Sequence, residues 1–197
     1  MKAVDYYFSP TSPWTFLGHA RFEEIARRAG AQIRVRPVDF GVIFPQSGGL
    51  PLGKRAPQRQ AYRLMELERW SEHLGVPLVL QPKHFPADAN PAAQMIVAAE
   101  PLGVETQMKL AGAIMRALWV EQKNIADATT LASIAAAQGR QAASLAADRV
   151  SAIARYESFT QEALKRGVFG APTYAVGAEL FWGQDRLDFV ERALGRD

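Results

Sequence analysis

The first forty residues place an extended run, a helix and a second extended run in immediate succession, and that order favours a sheet with a parallel pair of strands. Residues 3–8 are β-branched and aromatic, which predicts a strand. Apolar side chains then recur at helical spacing from Trp14 to Ala26, and Gly30 ends the helix. Residues 32–38 alternate polar and apolar side chains, which predicts a second strand. Because the crossover is a single helix, the two strands should lie parallel in one sheet.

The end of the chain carries a second strand-bearing unit. Residues 156–166 continue a helical pattern that Gly167 stops. Residues 174–176 and 179–182 then predict a β-hairpin, and residues 186–194 predict a final helix. A β-α-β unit followed by a helix, a proline-led hairpin and a last helix is the element order of a thioredoxin-like fold. We therefore predict an α/β protein of the glutaredoxin/DsbA-like kind.

The character of the sequence changes between these two units. Residues 41–58 contain four glycines and three prolines, which predicts a long loop of the kind that is usually functional. The following segment is helical almost throughout, with helices predicted over 59–74, 91–101, 104–121, 127–137 and 141–156. We therefore predict a thioredoxin-like domain formed by 1–40 and 157–197, with 41–156 as an inserted loop plus helical domain.

Composition excludes several classes of protein. The 197 residues include no cysteine, which excludes disulfides, a thiol nucleophile, a disulfide oxidoreductase and thiolate metal sites. The three histidines lie far apart, so we expect no metal. A net charge of +3 without a basic-aromatic motif argues against nucleic acid. No apolar run approaches the roughly 18–20 residues of a membrane span, and the N-terminus lacks a signal-peptide pattern. We therefore expect a cytoplasmic protein that contacts no membrane.

The segment Ser12-Pro13-Trp14-Thr15 lies where the first predicted strand leads into the first helix. Its spacing matches a Cys-Pro-x-Cys redox motif with hydroxyls in place of both thiols. The start of a helix favours an anion such as a thiolate, and in this chain the sulfur would have to arrive on a ligand. The alternative is that Ser12 caps the helix and Pro13 occupies its first turn. Both roles are compatible.

Three more positions have two interpretations each. Ala171-Pro172 either begins a strand in the ordinary way or forms a cis bond whose backbone pairs with an extended ligand. Asp185 either caps the last helix or receives the ammonium group of an amino-acid ligand. Arg59 shares a helical face with Tyr62 and Glu66, and that face is solvated unless the preceding loop folds it over the site.

Four segments together resemble a known family. They are Ser9–Gly18, the set Arg59-x-x-Tyr62-x-x-x-Glu66, Gly167–Thr173 and Phe181–Leu187. The chain resembles 2-hydroxychromene-2-carboxylate isomerase along nearly its whole length. That family is related to the kappa-class glutathione transferases and to the DsbA-type oxidoreductases.

The resemblance implies that glutathione is the cofactor, and it assigns roles residue by residue. Ser12 would hydrogen-bond the glutathione sulfur, and the backbone of Ala171, before Pro172, would pair with the cysteinyl part. Asp185, with Gln184 beside it, would hold the γ-glutamyl end. Arg59 would lie near the glycyl carboxylate. The family also implies a homodimer, in which Glu66 would reach the partner's glutathione.

The resemblance further implies a reaction and a substrate class. The reaction is the interconversion of 2-hydroxychromene-2-carboxylate and trans-o-hydroxybenzylidenepyruvate, a step of bacterial naphthalene breakdown. The thiolate adds to the conjugated alkene, the resulting single bond rotates, and elimination restores the alkene. The substrate is therefore a small aromatic 2-oxo or 2-hydroxy acid. Two alternatives stay open, a kappa-like glutathione transferase and a non-catalytic glutathione- or peptide-binding module.

Overall fold

Four strands form one mixed sheet in the computed structural model, which describes residues 2–139 and 149–195. The strands are β1 (Ala3–Phe8), β2 (Gln32–Pro37), β3 (Thr173–Val176) and β4 (Glu179–Trp182), in the spatial order β2-β1-β3-β4. The β1–β2 pair is parallel, as predicted, and β3 pairs antiparallel with both β1 and β4. The mixed sheet and its element order confirm the predicted α/β, thioredoxin-like fold.

Helices account for most of the remaining described residues. They are α1 (Pro13–Arg28), α2 (Phe40–Ser47), α3 (Pro57–Leu74), α4 (Asn90–Ala98), α5 (Val104–Trp119), α6 (Ala128–Ala137), α7 (Arg149–Lys165) and α8 (Leu187–Gly195). Short 3₁₀ turns occur at 52–54, 100–102 and 184–186. Part of the predicted helix 141–156 lies outside the described residues. Its remainder belongs to α7, a single helix that also spans the domain boundary predicted at residue 157.

Each face of the sheet is covered by helices. On one face, Tyr6 stacks on Tyr174 with ring centroids 5.4 Å apart, and this cluster includes residues of α1, α5 and α8. On the other face, Tyr7 packs in a second cluster with residues of α2, α4 and α7, among them Phe159. Helices from the middle of the chain therefore share both cores with the strands, and burial of these aromatic rings stabilises the sheet and the helices together.

The loop prediction for residues 41–58 is wrong over its first part, where the chain forms α2. The Asp39 carboxylate caps this helix by accepting a hydrogen bond of 2.7 Å from the Gly41 amide. Gly48 ends it in the left-handed conformation, with φ of 74°. Phe40 and Ile43 are buried at helical spacing, and this burial outweighs the unfavourable Pro45 inside the helix.

Candidate functional site

Ser12 is the N-cap of α1, at the end of the short turn that follows β1. Its amide donates to the Ser9 carbonyl over 3.0 Å, and its hydroxyl oxygen accepts from the Thr15 amide over 3.2 Å. Pro13 occupies the first helical position, where its missing N–H costs nothing. The capping interpretation of Ser12 is thus confirmed, and it uses only the acceptor capacity of the hydroxyl.

Two donors remain at this helix start beside the fully buried Thr15 hydroxyl, which also has no partner among the described residues. Among the described residues, the Ser12 hydroxyl proton has no acceptor, and neither has the Trp14 backbone N–H. Both groups lie in the first turn of a helix with 16 residues, where the helix dipole contributes partial positive charge. The Ser12 side chain is only half-buried, so a ligand can reach it. This arrangement can bind an anion, and a thiolate has the required charge.

The β1–β3 register brings Ala171-Pro172 to the same end of the sheet. Tyr7 is paired with Thr173, so the chain just beyond β1 lies beside the residues that precede β3. The Ala171–Pro172 peptide bond is cis, as in the second of the two interpretations of this position. The Pro172 carbonyl accepts a hydrogen bond of 2.9 Å from the Gly183 amide. That bond ties the start of the 184–186 turn to the same end of the sheet.

The two residues predicted for the γ-glutamyl end differ in exposure. Gln184 is 1% exposed, and both its backbone carbonyl and its side-chain oxygen accept hydrogen bonds from Arg21 of α1. Its side chain therefore holds the 184–186 turn against α1 and does not face solvent. The Asp185 side chain is 38% exposed and pairs with Arg186 over 3.0 Å. Asp185 is thus the member of the pair that a ligand can reach.

Arg59 lies in the first turn of α3 and is exposed. Helix α3 packs against α1, which places it beside the helix that Ser12 caps. Glu66, further along α3, forms an ion pair of 2.6 Å with Arg69. Tyr62 is 54% exposed on the same helix. Glu66 is thus paired with Arg69, and Arg59 has no carboxylate partner among the described residues.

Comparison with known proteins identifies the family. The model of the DSBA-like thioredoxin domain matches residues 3–195. The 2-hydroxychromene-2-carboxylate isomerase of Pseudomonas putida is 30% identical over 197 residues, which cover 98% of this chain and 94% of that protein. The chain belongs to the 2-hydroxychromene-2-carboxylate isomerase family. The predicted family and the prediction of an enzyme of the isomerase class are both confirmed.

Solved structures agree with this membership. A structure of 2-hydroxychromene-2-carboxylate isomerase matches with a TM-score of 0.78 and 29% identity, over 98% of this chain and 95% of that one. The cytosolic disulfide reductase DsbM of Pseudomonas aeruginosa, solved with GSH, matches with a TM-score of 0.68 and 20% identity, over 97% and 93% of the two chains. The second match shows a shared fold.

Sequence reasoning missed Arg21, which fixes the 184–186 turn in this family member. The signal that could have found it is Gly18, a glycine inside a helical pattern and one turn before Arg21. A Cβ at Gly18 would lie 2.7 Å from the Gln184 Cβ and 3.1 Å from the Tyr174 hydroxyl. Gly18 therefore allows the turn to approach α1 closely enough for Arg21 to bind it.

A pair of exposed aromatic rings was also missed. Phe169 and Trp182 meet edge to face, with centroids 4.8 Å apart, and are 43% and 52% exposed. The Trp182 indole lies against Gly170, where a Cβ would collide with it. The two rings therefore flank the residue just before Ala171-Pro172. They form an apolar border beside the candidate site.

His19 lies in α1 but takes no part in acid–base chemistry at this site. Its Nδ1 is 3.2 Å from the Tyr6 hydroxyl, and its Nε2 is 3.0 Å from the Met108 carbonyl. Since a carbonyl only accepts, Nε2 carries the proton and Nδ1 accepts from Tyr6. Burial lowers the pKa of His19 from 6.5 to about 4. The imidazole is therefore neutral near pH 7 and joins β1, α1 and α5.

A separate cavity of about 200 Å³ lies on the other face of the sheet. It is lined by residues of α4 and α7 and by the start of α2, including Asp39 and Tyr156. Because α1 covers the opposite face, this cavity is not part of the site at Ser12. Over residues 2–139 and 149–195, no helix is long and apolar enough to cross a membrane.

Proposed function

We propose that this protein is a glutathione-dependent isomerase that interconverts 2-hydroxychromene-2-carboxylate and trans-o-hydroxybenzylidenepyruvate in the cytoplasmic breakdown of aromatic compounds. The observation that carries the proposal is the start of α1, where Ser12 and the Trp14 amide retain donors for an anion. The chain has no cysteine to provide that anion. Membership of the isomerase family supplies the reaction.

Several described residues have the chemistry to bind successive parts of glutathione. The Ala171 backbone, beside the cis bond, offers pairing groups to an extended cysteinyl unit, and exposed Asp185 offers a carboxylate to the γ-glutamyl ammonium. Arg59 offers a guanidinium to a carboxylate at the other end. The likeness to DsbM, a protein of this fold solved with GSH, supports this assignment. Gln184 does not contact the ligand in this proposal, and its hydrogen bonds to Arg21 hold the turn that carries Asp185 in place.

When bound, glutathione supplies a thiolate that adds reversibly to a conjugated alkene and so permits rotation about the former double bond. The task of the protein is to favour the ionised thiol. A free thiol has a pKa near 8.5, and each unit by which this value falls corresponds to about 1.4 kcal/mol of stabilisation. The Ser12 hydroxyl would donate to the sulfur, the Trp14 amide would face it, and the dipole of α1 would add a favourable potential.

The test separates helix capping from sulfur binding at Ser12. Ser12→Ala removes both the cap and the donor, so it should cost about 0.5–2 kcal/mol of stability as well as most of the turnover at neutral pH. Ser12→Asp keeps a good cap but places a negative charge against the thiolate. We expect Ser12→Asp to be nearly as stable as the parent and inactive, and Ser12→Thr to keep a large part of the activity.

The measurements are urea unfolding, titration with glutathione and with S-methylglutathione, and the isomerisation rate with and without glutathione. Full activity of Ser12→Asp, or turnover by the parent without glutathione, would refute the proposal. Mass spectrometry of the product separates the transferase alternative, because a transferase product retains the glutathione sulfur. Binding of glutathione without turnover of any electrophile would instead indicate the non-catalytic module.

We further propose that the protein is a homodimer, in which Glu66 reaches the glutathione of the partner subunit. Exposed apolar side chains on α3 support this proposal, since Tyr62 and Met65 are 54% and 47% exposed. Sedimentation equilibrium tests it. A monomer across the assay concentrations would contradict the proposal without affecting the role of Ser12.

A further inference from the structure

Three arginines at the start of α3 have no anionic partner among the described residues. They are Arg55, just before the helix, and Arg59 and Arg63 in its first two turns. Within residues 2–139 and 149–195, no carboxylate forms an ion pair with any of them. The Arg55 Nε donates to the Leu50 carbonyl over 2.8 Å, which leaves its positive charge uncompensated. Three cations without a counter-ion repel one another.

Arg63 is the most constrained of the three. It lies one turn before Leu67, the one fully buried residue among those described in α3, and therefore shares the inward face of the helix. Its guanidinium is 5.4 Å from the centre of the Phe85 ring, which itself packs on the buried Trp119. Burial, and then repulsion by Arg55, lowers the pKa of Arg63 to about 10.

An inward position on a helix is normally apolar, because burial of a cation without a partner is unfavourable. The inward face of α3 instead changes from Leu67 to Arg63 towards the helix start, while Arg59, one turn earlier, is exposed. A cation is tolerated at such a position when a ligand supplies the missing anion. Arginine also suits a planar carboxylate, since its guanidinium offers two parallel donors.

The fold directs this end of α3 towards the site at Ser12. Strands β1 and β2 are parallel, with Phe8 paired to Pro37, so the chain leaves both strands at the same edge of the sheet. One exit leads to Ser12, and the other leads through α2 to Arg55 and α3. Helix α3 then packs against α1.

We propose that Arg63, with Arg55 beside it, binds the carboxylate of the organic substrate and makes the site selective for anionic electrophiles. This inference rests on the proposed function, in which exposed Arg59 is assigned to glutathione and a second carboxylate remains to be bound. It makes Arg63 and Arg55 specificity residues. The preferred class is an aromatic compound whose conjugated alkene carries a 2-oxo acid or carboxylate, and neutral enones of the same shape are disfavoured.

The experiment uses the full chain saturated with S-methylglutathione, so that glutathione's own carboxylates are already accommodated. The probes are trans-cinnamate and cinnamamide, which differ in charge but hardly in shape, and binding is measured by calorimetry. We expect cinnamate to bind the parent about 10–100-fold more tightly than cinnamamide, as for a charge-assisted hydrogen bond. Arg63→Met should abolish that preference, and Arg63→Lys should retain part of it.

The matched control is Arg27→Met, which removes an exposed arginine of α1 that pairs with Glu24. It should leave both affinities unchanged. Equal binding of the two probes to the parent would overturn the proposal. So would a loss of S-methylglutathione binding in Arg63→Met with cinnamate binding preserved, because Arg63 would then serve glutathione.

Failure of the carboxylate site and failure of the proposed function give different results in this experiment. If the parent shows no isomerase activity or does not bind S-methylglutathione, cinnamate and cinnamamide are titrated alone. A preference for cinnamate that depends on Arg63 would then establish the carboxylate site while the isomerase proposal falls. Turnover without any preference for the anion would instead support the isomerase proposal and refute the carboxylate site.

Discussion

The buried imidazole of His19 should limit the stability of this protein in acid. His19 has a pKa of about 4 in the folded state, because burial disfavours its charged form, against 6.5 as its ordinary value. As the pH falls below 6.5, the unfolded chain therefore takes up a proton that the folded protein does not. The stabilisation is present in full above pH 6.5 and is lost progressively as the pH falls through 4.

The magnitude follows from the two pKa values. At pH 5 the proton bound by the unfolded state alone lowers the free energy of unfolding by ~2 kcal/mol relative to pH 7.5, and the complete loss at lower pH is ~3 kcal/mol. Exposed carboxylates also respond to pH, so the parent alone cannot isolate this effect. His19→Gln provides the control, since an amide can donate to the Met108 carbonyl and accept from Tyr6 without titrating.

The assay is urea unfolding of the parent and of His19→Gln at pH 7.5 and at pH 5. We expect the parent to lose ~2 kcal/mol more than the variant between these conditions. Equal losses in the two proteins, within ~0.5 kcal/mol, would refute the reasoning. If the variant does not fold, NMR titration of the parent decides the question. A His19 resonance that titrates above pH 6 would show that the imidazole is not held neutral.

Two further changes test the contacts around the site and the sheet. Gly18→Ala should destabilise the protein by about 1–3 kcal/mol, despite the better helix propensity of alanine, because the new Cβ would lie 2.7 Å from the Gln184 Cβ. Urea unfolding measures the change in stability, and a stabilised variant would contradict the close approach of Gln184 to α1. Asp5→Asn should lower the free energy of unfolding by about 3 kcal/mol, because Asp5 is 6% exposed and its carboxylate pairs with Arg166 over 2.7 Å and with Arg36 over 3.5 Å. Thermal unfolding measures this loss. The comparison variant is Arg34→Gln, which removes a cation 3.9 Å from the same carboxylate.

The fold was predictable from local patterns at the two ends of the chain. Alternation in residues 32–38 and the proline break after residue 8 gave β1, α1 and β2 in the right places. Helix α2 was missed because Gly41, Pro45 and Gly48 are usual breakers. Here the glycine at 48 is the stop signal of the helix, and the spacing of Phe40 and Ile43 was the indication that the segment is helical.

The candidate site was predictable only in part. The capping geometry of Ser12 follows from Ser-Pro at a strand-to-helix junction. The sequence left the Ala171–Pro172 bond open, because a proline at the head of a strand can be trans or cis. The inward orientation of Gln184 could not be predicted, because it depends on Arg21, which is distant in sequence. The environment of Arg63 likewise depends on Phe85 and Arg55, which only the folded chain brings together.

The position of β3 inside the sheet has a consequence for biosynthesis. Because β3 lies between β1 and β4, the first strand of the chain stays without its second neighbour until residues 173–176 have been made. A ribosome releases residues 3–8 before that point, so the backbone groups of β1 that face β3 stay unpaired while the helical middle of the chain emerges. The nascent protein therefore exposes one edge of β1 for most of its synthesis, and chaperones that bind unpaired strand edges have a long period in which to act.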